Sequence, residues 1–283
     1  MQAADDWGQG GSTLVVAFEG WNDAGEAAST AVRTLRDQLG LAQLVEVEPE
    51  DYFDYQFNRP VTSFDEKGDR MLTWPSVTLF GPVDGGHGVH VLLGTEPSRG
   101  WKTFAEEMLD AISTAGVERI VFLGAMLADV PHTRPIAVFA SSENSSVRER
   151  FELERSSYEG PVGIVSVLAD AAERSGIPTV SVWASVPHYV HNAPSPKATL
   201  ALIERLEDFL DVSVDRGSLV EDAEAWERGI DELASDDDDM TAYIEQLEQA
   251  RDTVDSPEAS GDAIAEEFER YLRKRDGDQP PAP

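Results

Sequence analysis

The segment Asp129–Pro135 places an acid, an imidazole and a guanidinium in one short stretch. It follows the apolar run Ile120–Leu123, which we interpret as a buried strand, so the segment lies on a loop at a strand end. Ligands bind at the carboxyl ends of strands in open α/β sheets. There, His132 could act as a catalytic acid or base with Asp129 beside it, and Arg134 could hold a carboxylate or phosphate. The alternative is an ion pair between the acid and the arginine that only stabilises the loop.

Further carboxylates follow two other predicted strands. The turn Gly20–Gly25 joins a strand to a helix, contains Asp23 and comes directly after Glu19. Backbone N–H groups at such turns often bind phosphate, but these carboxylates repel phosphate and better suit a cation, an amine or a hydroxyl. Glu96 lies on the second loop and could also contact a ligand. The alternatives are that Asp23 caps the helix and that Glu96 forms a local salt bridge.

Two further residues extend the candidate ligand-binding set. His188 follows the last predicted strand, and its spacing to His191 would suit one metal on a helical turn, but two histidines alone are a weak metal signal. We therefore predict no metal site. Lys197 lies in the first turn of a predicted helix, where a cation is locally unfavourable, and this suggests a use such as binding an acid or anion. Nothing in the sequence identifies a cofactor.

Composition and missing motifs narrow the possible chemistry. The chain has no cysteine, which excludes disulfides, thiolate nucleophiles and Cys-ligated zinc. It also lacks the Gly-x-Ser-x-Gly and His-Glu-x-x-His motifs, the phosphate-binding P-loop and the kinase motifs. The formal net charge of -32 argues against nucleic acid and anionic membranes as partners. With no signal-peptide pattern and no long apolar run, we expect a cytoplasmic protein.

Alternating strands and helices position the candidate residues. A strand over 13–18, a helix over 26–39 and a strand over 44–47 form the strand–helix–strand unit of an α/β sheet. Later segments alternate in the same way: strands over 77–83 and 89–93, a helix over 101–115, strands over 120–123 and 136–140, a helix over 164–175, a strand over 178–184 and a helix over 195–210. We predict an α/β core over residues 13–210 and a disordered N-terminus over residues 1–12.

Two segments depart from this alternation. Residues 48–76 are rich in aromatic side chains and predict a hairpin insertion, which could pack on another subunit or fold back on the core. Residues 211–283 hold 23 Asp and Glu against 7 Lys and Arg, and their apolar positions recur at helical spacing. We predict an acidic subdomain of about three helices over 211–275 that leans on the core, followed by a disordered tail over 276–283.

Several segments, taken in order, resemble the PAC2 family, named after proteasome assembly chaperone 2. The matching segments are Gly20-Trp21-Asn22-Asp23-Ala24-Gly25, Gly94-Thr95-Glu96-Pro97 with Trp101, Leu123-Gly124-Ala125, Asp129-Val130-Pro131-His132-Thr133-Arg134-Pro135, Tyr158-Glu159-Gly160-Pro161, Trp183-Ala184-Ser185-Val186-Pro187-His188-Tyr189 and Pro194-Ser195-Pro196-Lys197-Ala198. The acidic helical extension resembles the actinobacterial branch of the family, whose members add a helical domain after the core.

The resemblance implies a three-layer α/β/α sandwich with a phosphorylase-like core. It also implies a hairpin used for homo-oligomerisation, often as a trimer, and a C-terminal helical lid over a pocket. Bacterial members have no settled activity, so the resemblance assigns no catalytic residue. In eukaryotes and archaea the family name attaches to proteasome assembly or binding, through a C-terminal hydrophobic-Tyr-x tail that Gln279–Pro283 does not match.

Two functional hypotheses follow. In the first, a small polar or anionic ligand binds at the strand ends under the helical lid, with enzyme activity left open. The walls of that pocket would be Glu19, Asp23, Glu96, Asp129, His132, Arg134, His188 and Lys197. In the second, the chain is a proteasome-related or other assembly or adaptor protein that binds a protein partner. The number of strand-end polar groups favours the first hypothesis, which requires these side chains to converge on one cavity; separate, paired side chains would favour the second.

Overall fold

The computed structural model describes residue 7 and residues 10–83, 88–210 and 212–255. Within these residues the strands are β1 (Ser12–Glu19), β2 (Ala42–Glu46), β3 (Val61–Phe64), β4 (Arg70–Thr73), β5 (Val77–Gly81), β6 (Val89–Thr95), β7 (Val117–Ala128), β8 (Val138–Ser141) and β9 (Thr179–Pro187). The helices are α1 (Ala27–Leu39), α2 (Pro49–Tyr52), α3 (Trp101–Thr114), α4 (Ser145–Phe151), α5 (Ile164–Arg174), α6 (Pro196–Glu207), α7 (Leu219–Ser235) and α8 (Asp238–Asp255).

Seven of these strands form one sheet in the order β2-β5-β6-β1-β7-β9-β8. β1 pairs in parallel with β6 and β7, β9 pairs in parallel with β7, and the remaining strands join by antiparallel pairing. β1 is a continuous apolar run because helices cover both of its faces. The predicted strand–helix–strand unit is present, since β2 runs in the same direction as β1, but β5 and β6 lie between them.

Helices pack on both faces of the sheet, and the predicted α/β/α sandwich is confirmed. On one face α1 and α6 bury apolar side chains such as Leu35 and Leu202. On the other face α3 and α5 bury Phe104 and Leu168. Both helix pairs carry their apolar residues at the three- and four-residue spacing that places them on one helix face.

Part of the N-terminal segment that we expected to be disordered belongs to the core. Trp7 is buried, and its ring meets the rings of Phe151 and Phe209 edge-on at centroid distances of 5.6 and 6.5 Å. Strand β1 begins at Ser12. The expectation is therefore wrong at these positions, because burial of an indole ring stabilises the chain that carries it.

Local sequence signals explain where several helices begin and end. Gly40 ends α1 in the left-handed conformation, with φ of 60°, as its position predicts. Ser195 caps α6 by accepting a hydrogen bond of 3.4 Å from the backbone N–H of Ala198. The short helix α4 was not predicted, although Asn144 caps it by accepting backbone hydrogen bonds from the first turn.

The aromatic segment 48–76 contains the predicted hairpin. β3 and β4 pair antiparallel, with Phe64 opposite Arg70, and every residue of both strands is exposed. Tyr52 and Phe53, which precede the hairpin, are instead buried against the core. The segment therefore follows both alternatives, because its first aromatic residues fold back on the sheet while the hairpin projects from it.

α7 and α8 form the described part of the acidic extension. α7 packs against α6 and α8, and the two helices bury narrow apolar stripes that include Ala223, Ile230, Ile244 and Leu247. The third predicted helix, around residues 264–272, and the predicted tail lie outside the described residues. None of the helices described here is long and apolar enough to cross a membrane.

Candidate functional site

The loop between β7 and β8 holds His132 in a fully buried position. Its Nε2 lies 3.0 Å from the Asp231 carboxylate on α7, and its Nδ1 lies 2.9 Å from the Tyr189 hydroxyl. One tautomer of the neutral ring satisfies both contacts, since Nε2–H can donate to the carboxylate while Nδ1 accepts from the tyrosine. Burial raises the pKa of Tyr189 to about 12, so that hydroxyl keeps its proton at neutral pH. The imidazole is thus a buried link between the loop and α7.

Arg134, on the same loop, is paired with α8. Its guanidinium makes a two-point contact with the Asp252 carboxylate at 2.7 and 2.8 Å, and a third bond of 3.2 Å to Glu248. The hydrogen bond from the guanidinium lowers the pKa of the Asp252 carboxyl, and the same bond raises the pKa of Arg134. The donors that were predicted to hold a ligand anion therefore hold two carboxylates of this chain.

Lys197 makes the corresponding contact with α7. Its Nζ lies 2.5 Å from the Glu227 carboxylate and 2.6 Å from the carbonyl O of His132. The position of this cation in the first turn of α6 is locally unfavourable, and the carboxylate offsets that cost. The predicted pairing with an acid is present, and the acid comes from the protein itself.

Asp129 and His188 are the more exposed members of this group. Nδ1 of the histidine lies 3.3 Å from a carboxylate oxygen of Asp129, and its ring meets the ring of Tyr243 on α8 edge-on. Desolvation, then the charge of Asp129 and a hydrogen bond to it, raises the pKa of Tyr243. The loop-stabilising ion pair between Asp129 and Arg134 is not formed. His191 turns its Nδ1 to the carbonyl O of His188, at 2.9 Å.

These contacts form one structural unit, which we call the helix clamp and define as Asp129, His132, Arg134, His188 and Lys197. Every member contacts α7 or α8, and most of the partners there are carboxylates. The sequence predicted the residues of the clamp but not their partners on α7 and α8. Acids on an amphipathic helix look the same whether they are solvated or paired, so only the placement of the helices distinguishes the two.

Glu19 and Glu96 lie apart from the clamp, near the carboxyl ends of β1 and β6. Glu19 forms an ion pair with Arg33 of α1. Glu96 accepts hydrogen bonds of 2.9 Å from Asn22 Nδ2 and from the backbone N–H of Ile164, at the start of α5. Across the described part of the chain, no hydrogen bond or ion pair joins this group to the helix clamp. The eight predicted side chains therefore do not converge on one cavity.

Asp23 is the buried cap of α1, as the alternative interpretation holds. One carboxylate oxygen accepts from the backbone N–H groups of Ala28 and Ser29, at 2.8 and 3.1 Å. Burial raises the pKa of this carboxyl above its ordinary value, although the hydrogen bonds and the charge of Arg33 partly oppose the shift. A perturbed carboxyl can mark a functional group, but here the burial of a helix-capping side chain explains the perturbation.

We predict that Asp23→Asn becomes more stable relative to wild type as pH rises. Because the folded-state pKa is raised, the unfolded chain loses this proton first, and the stability contributed by the protonated form is lost as pH rises through the folded pKa. Asparagine keeps the capping oxygen without the charge. Urea midpoints of both proteins, measured from about pH 4 to pH 7, should diverge in favour of the variant. A constant difference, or one that shrinks, would contradict the assignment.

A cleft of about 1570 Å³ opens on the face of the sheet between α5 and β8. Its aromatic and apolar walls come from Trp21, Met126, Phe139, Tyr158 and Trp183. Of the eight predicted residues only Asp23 lines this sheet-face cleft, and none of its lining residues comes from α7 or α8. The predicted arrangement of a pocket under a helical lid is therefore not what the described residues show. The helices cover the clamp loop instead.

The described residues include no set of side chains arranged as metal ligands. Within the described ranges, no group of three or more His, Cys, Asp or Glu side chains is placed to hold a metal ion. The carboxylates of Glu227 and Glu248, which contact the helix clamp from α7 and α8, are paired with cations of the chain, and Glu96 accepts hydrogen bonds from N–H donors. The geometry supports pairing between parts of this protein better than coordination of an ion.

Fold and contacts together define a class: α/β/α sandwiches with an inserted hairpin and a helical extension bound to the strand-end loops. The model of the PAC2 family matches residues 17–234, and the chain belongs to this family. The resemblance found in the sequence is thereby confirmed. No curated protein matches the chain.

Solved structures support the same assignment. The chain is 44% identical to a PAC2 family protein from Streptomyces avermitilis, with a TM-score of 0.74 and coverage of 82% of this chain and 99% of that one. It is 43% identical to a proteasome-assembly chaperone homologue from Mycobacterium tuberculosis, with a TM-score of 0.72 and the same coverage. A protein of unknown function from Corynebacterium glutamicum is 28% identical, with a TM-score of 0.76 and coverage of 87% and 92%.

Proposed function

We propose that this PAC2 protein is a proteasome-related assembly protein that acts through protein–protein contacts and not by catalysis. The observation that carries the proposal is the hairpin of β3 and β4, whose two faces are both exposed. An isolated two-stranded hairpin is marginally stable in water. A hairpin that is built into a fold without cover therefore needs a partner surface.

Both faces of the hairpin carry exposed apolar side chains, with Phe64 and Leu72 on one face and Val61 and Met71 on the other. Phe64 is 71% exposed and Val61 is 64% exposed, and Met71 and Leu72 on the opposite strand are each 50% exposed. Exposed apolar side chains clustered in this way mark interaction sites on soluble proteins. Phe57, just before the hairpin in the sequence, is 82% exposed.

We assign part of the hairpin surface to contacts between copies of this chain. Identical hairpins can pack on neighbouring subunits around a symmetry axis, and a homo-oligomer, with a trimer favoured, is the arrangement that the family resemblance implies. The remaining contacts would go to proteasome subunits, as the similarity to the Mycobacterium tuberculosis chaperone homologue suggests. We place this proposed activity in the cytoplasm.

The competing hypothesis of a small polar or anionic ligand at the strand ends has less support. This hypothesis assigns catalysis to His132 with Asp129, and anion binding to Arg134 and Lys197. The imidazole is fully buried, and both cations are paired with carboxylates of α7 and α8. A ligand anion would have to displace those carboxylates before it could bind.

The test is native mass spectrometry of the full-length protein, alone and mixed with α- and β-subunits of a Streptomyces proteasome. The wild type is expected to form a homo-oligomer and a further complex with the subunits. Phe64→Ser should shift the protein toward monomer, because it removes the most exposed aromatic ring of the hairpin strands. Leu233→Ser is the matched control, since that side chain is 76% exposed on α7, away from the hairpin.

The outcomes separate the two parts of the proposal. A monomer at all concentrations would overturn the role of the hairpin in self-association. An oligomer that binds neither type of subunit would overturn the proteasome assignment. Equal behaviour of Phe64→Ser and Leu233→Ser would show that loss of any exposed apolar side chain has the same effect, and the hairpin would then have no special role.

A further inference from the structure

The geometry points to the sheet-face cleft as a binding site for an extended, basic segment of a partner protein. This inference rests on the proposed function, because it names a surface and a chemistry for one of its protein contacts. The cleft is separate from both the hairpin and the helix clamp. Its size, aromatic walls, charge and one unpaired polar atom each support the assignment.

The size of the cleft favours a chain segment over a metabolite. Small-molecule pockets typically measure about 300–1,000 Å³, and this cleft has about 1570 Å³. It runs along the sheet from the Gly20–Glu26 turn, past Phe139 and Trp183, to Thr179 at the start of β9. An elongated space of this kind accommodates several residues of an extended peptide.

The walls present large aromatic rings to solvent. Trp21 is 66% exposed, Tyr158 is 64% exposed and Phe139 is 56% exposed, and all three line the cleft. Aromatic residues are enriched in the centres of protein interfaces. Their faces also attract the guanidinium of arginine and the ammonium of lysine.

The charges of the lining residues specify a cationic occupant. The acids are Asp23, Glu26, Glu143, Glu154, Asp170 and Glu173, and the only arginines among the lining residues are Arg155 and Arg174. Each arginine already pairs with an acid of the cleft, at 2.6 and 2.8 Å. Glu26 and Glu154 are exposed and have no ion-pair partner among the described residues. An arriving cation would meet uncompensated carboxylates there.

Asn22 supplies an observation that is independent of charge. It lines the cleft, is only 1% exposed, and donates a hydrogen bond from Nδ2 to the carboxylate of Glu96. Its Oδ1 is buried and has no hydrogen-bond partner among the described residues. An unsatisfied buried acceptor costs free energy. The N–H groups of a peptide backbone or a guanidinium are the donors that would satisfy it.

The test is fluorescence anisotropy with the full-length protein and a fluorescein-labelled octapeptide of alternating arginine and leucine. A second peptide, with glutamate in place of arginine, serves as the negative probe. The variant is Glu154→Lys, in the cleft, and its matched control is Glu232→Lys, an exposed position on α7 with the same change of charge. The control measures the long-range attraction that any strongly acidic protein exerts on a basic peptide.

We expect the arginine peptide to bind wild type and the glutamate peptide not to bind. Glu154→Lys and Trp21→Ala should each weaken binding about tenfold or more, whereas Glu232→Lys should change it less than about threefold. Equal losses in both lysine variants would reduce the binding to general electrostatics and overturn the site. Binding of free arginine amide as tight as that of the peptide would overturn an extended occupant.

The cleft and the proposed function can fail separately. If the variants Glu154→Lys and Trp21→Ala bind the arginine peptide as well as wild type does, while the complex with proteasome subunits still forms, only the cleft assignment is overturned. If the peptide binds as expected but no proteasome subunit is captured, the cleft assignment stands and the proteasome-related role is overturned.

Discussion

Gly94→Ala is expected to reduce the free energy of unfolding by about 3 kcal/mol. Gly94 lies in β6 opposite Val77 of β5. A Cβ at this glycine would lie 2.1 Å from the carbonyl O of Ser76 and 2.6 Å from Cα of Val77. Both are backbone atoms, and that same carbonyl accepts a hydrogen bond from Thr95, so relief would require the two strands to separate. The loss would be seen as a lower urea midpoint with an unchanged slope.

Gly229→Ala is the matched control for this prediction. Gly229 lies inside α7, and a Cβ there would meet no atom within 4 Å. Glycine in a helix interior is about 0.8–1.0 kcal/mol less favourable than alanine, so this variant should be more stable than wild type. If Gly94→Ala lowers the free energy of unfolding and Gly229→Ala raises it, the space around each glycine decides the effect of the added methyl group. A mild effect of Gly94→Ala would mean that β5 and β6 can move apart at low cost.

The sequence was sufficient to predict the α/β/α layers of the core. Apolar runs of strand length alternated with amphipathic helices, and Gly40 and Ser195 marked helix ends that the structure has at the same positions. The order of the strands in the sheet could not be predicted from the sequence in this way. The sequence shows that 44–47 is a strand, but the placement of β5 and β6 between β1 and β2 depends on long-range pairing that no local pattern encodes.

The candidate site could be predicted only in part, for a specific physical reason. Arg134 can be recognised because its loop follows an apolar run, and Lys197 because a cation in the first turn of a helix is locally unfavourable. Their partners, such as Glu227 and Asp252, lie in a region rich in acidic residues, many of which are solvent-exposed. Composition cannot tell a paired acid from a solvated one. The functional meaning of the loop residues changed once their partners were placed.

The residues of the sheet-face cleft do not identify a surface in the sequence. Trp21 and Tyr158 lie in segments that resemble the PAC2 family, and the resemblance assigns them no role. Phe139 lies in a segment that predicts an ordinary strand. What makes these residues a surface is that β8 lies at the edge of the sheet and α5 leaves its outer face uncovered. The sequence shows an aromatic residue within this strand but does not show that the strand lies at the edge of the sheet.

Lys197→Ala is expected to loosen α7 and α8 while the sheet remains intact. The lysine is mostly buried, and its loss leaves the carboxylate of Glu227 and the carbonyl of His132 without this donor. Unsatisfied groups of this kind cost about 1–3 kcal/mol each. Because the clamp joins the helices to the core locally, the cost should appear as local opening and not as global unfolding.

Hydrogen exchange measures this local opening directly, since a cost of 1.4 kcal/mol corresponds to a tenfold change in the equilibrium constant for opening. Amides of α7 and α8 should exchange about tenfold faster in Lys197→Ala, and those of β1 and β7 should be unchanged. The double variant Lys197→Glu with Glu227→Lys restores the opposite charges and should recover part of the protection. If protection of α7 and α8 were the same in all three proteins, the ion pair would not hold the helices. The strand-end cations would then need another explanation, and the anion-binding hypothesis would return.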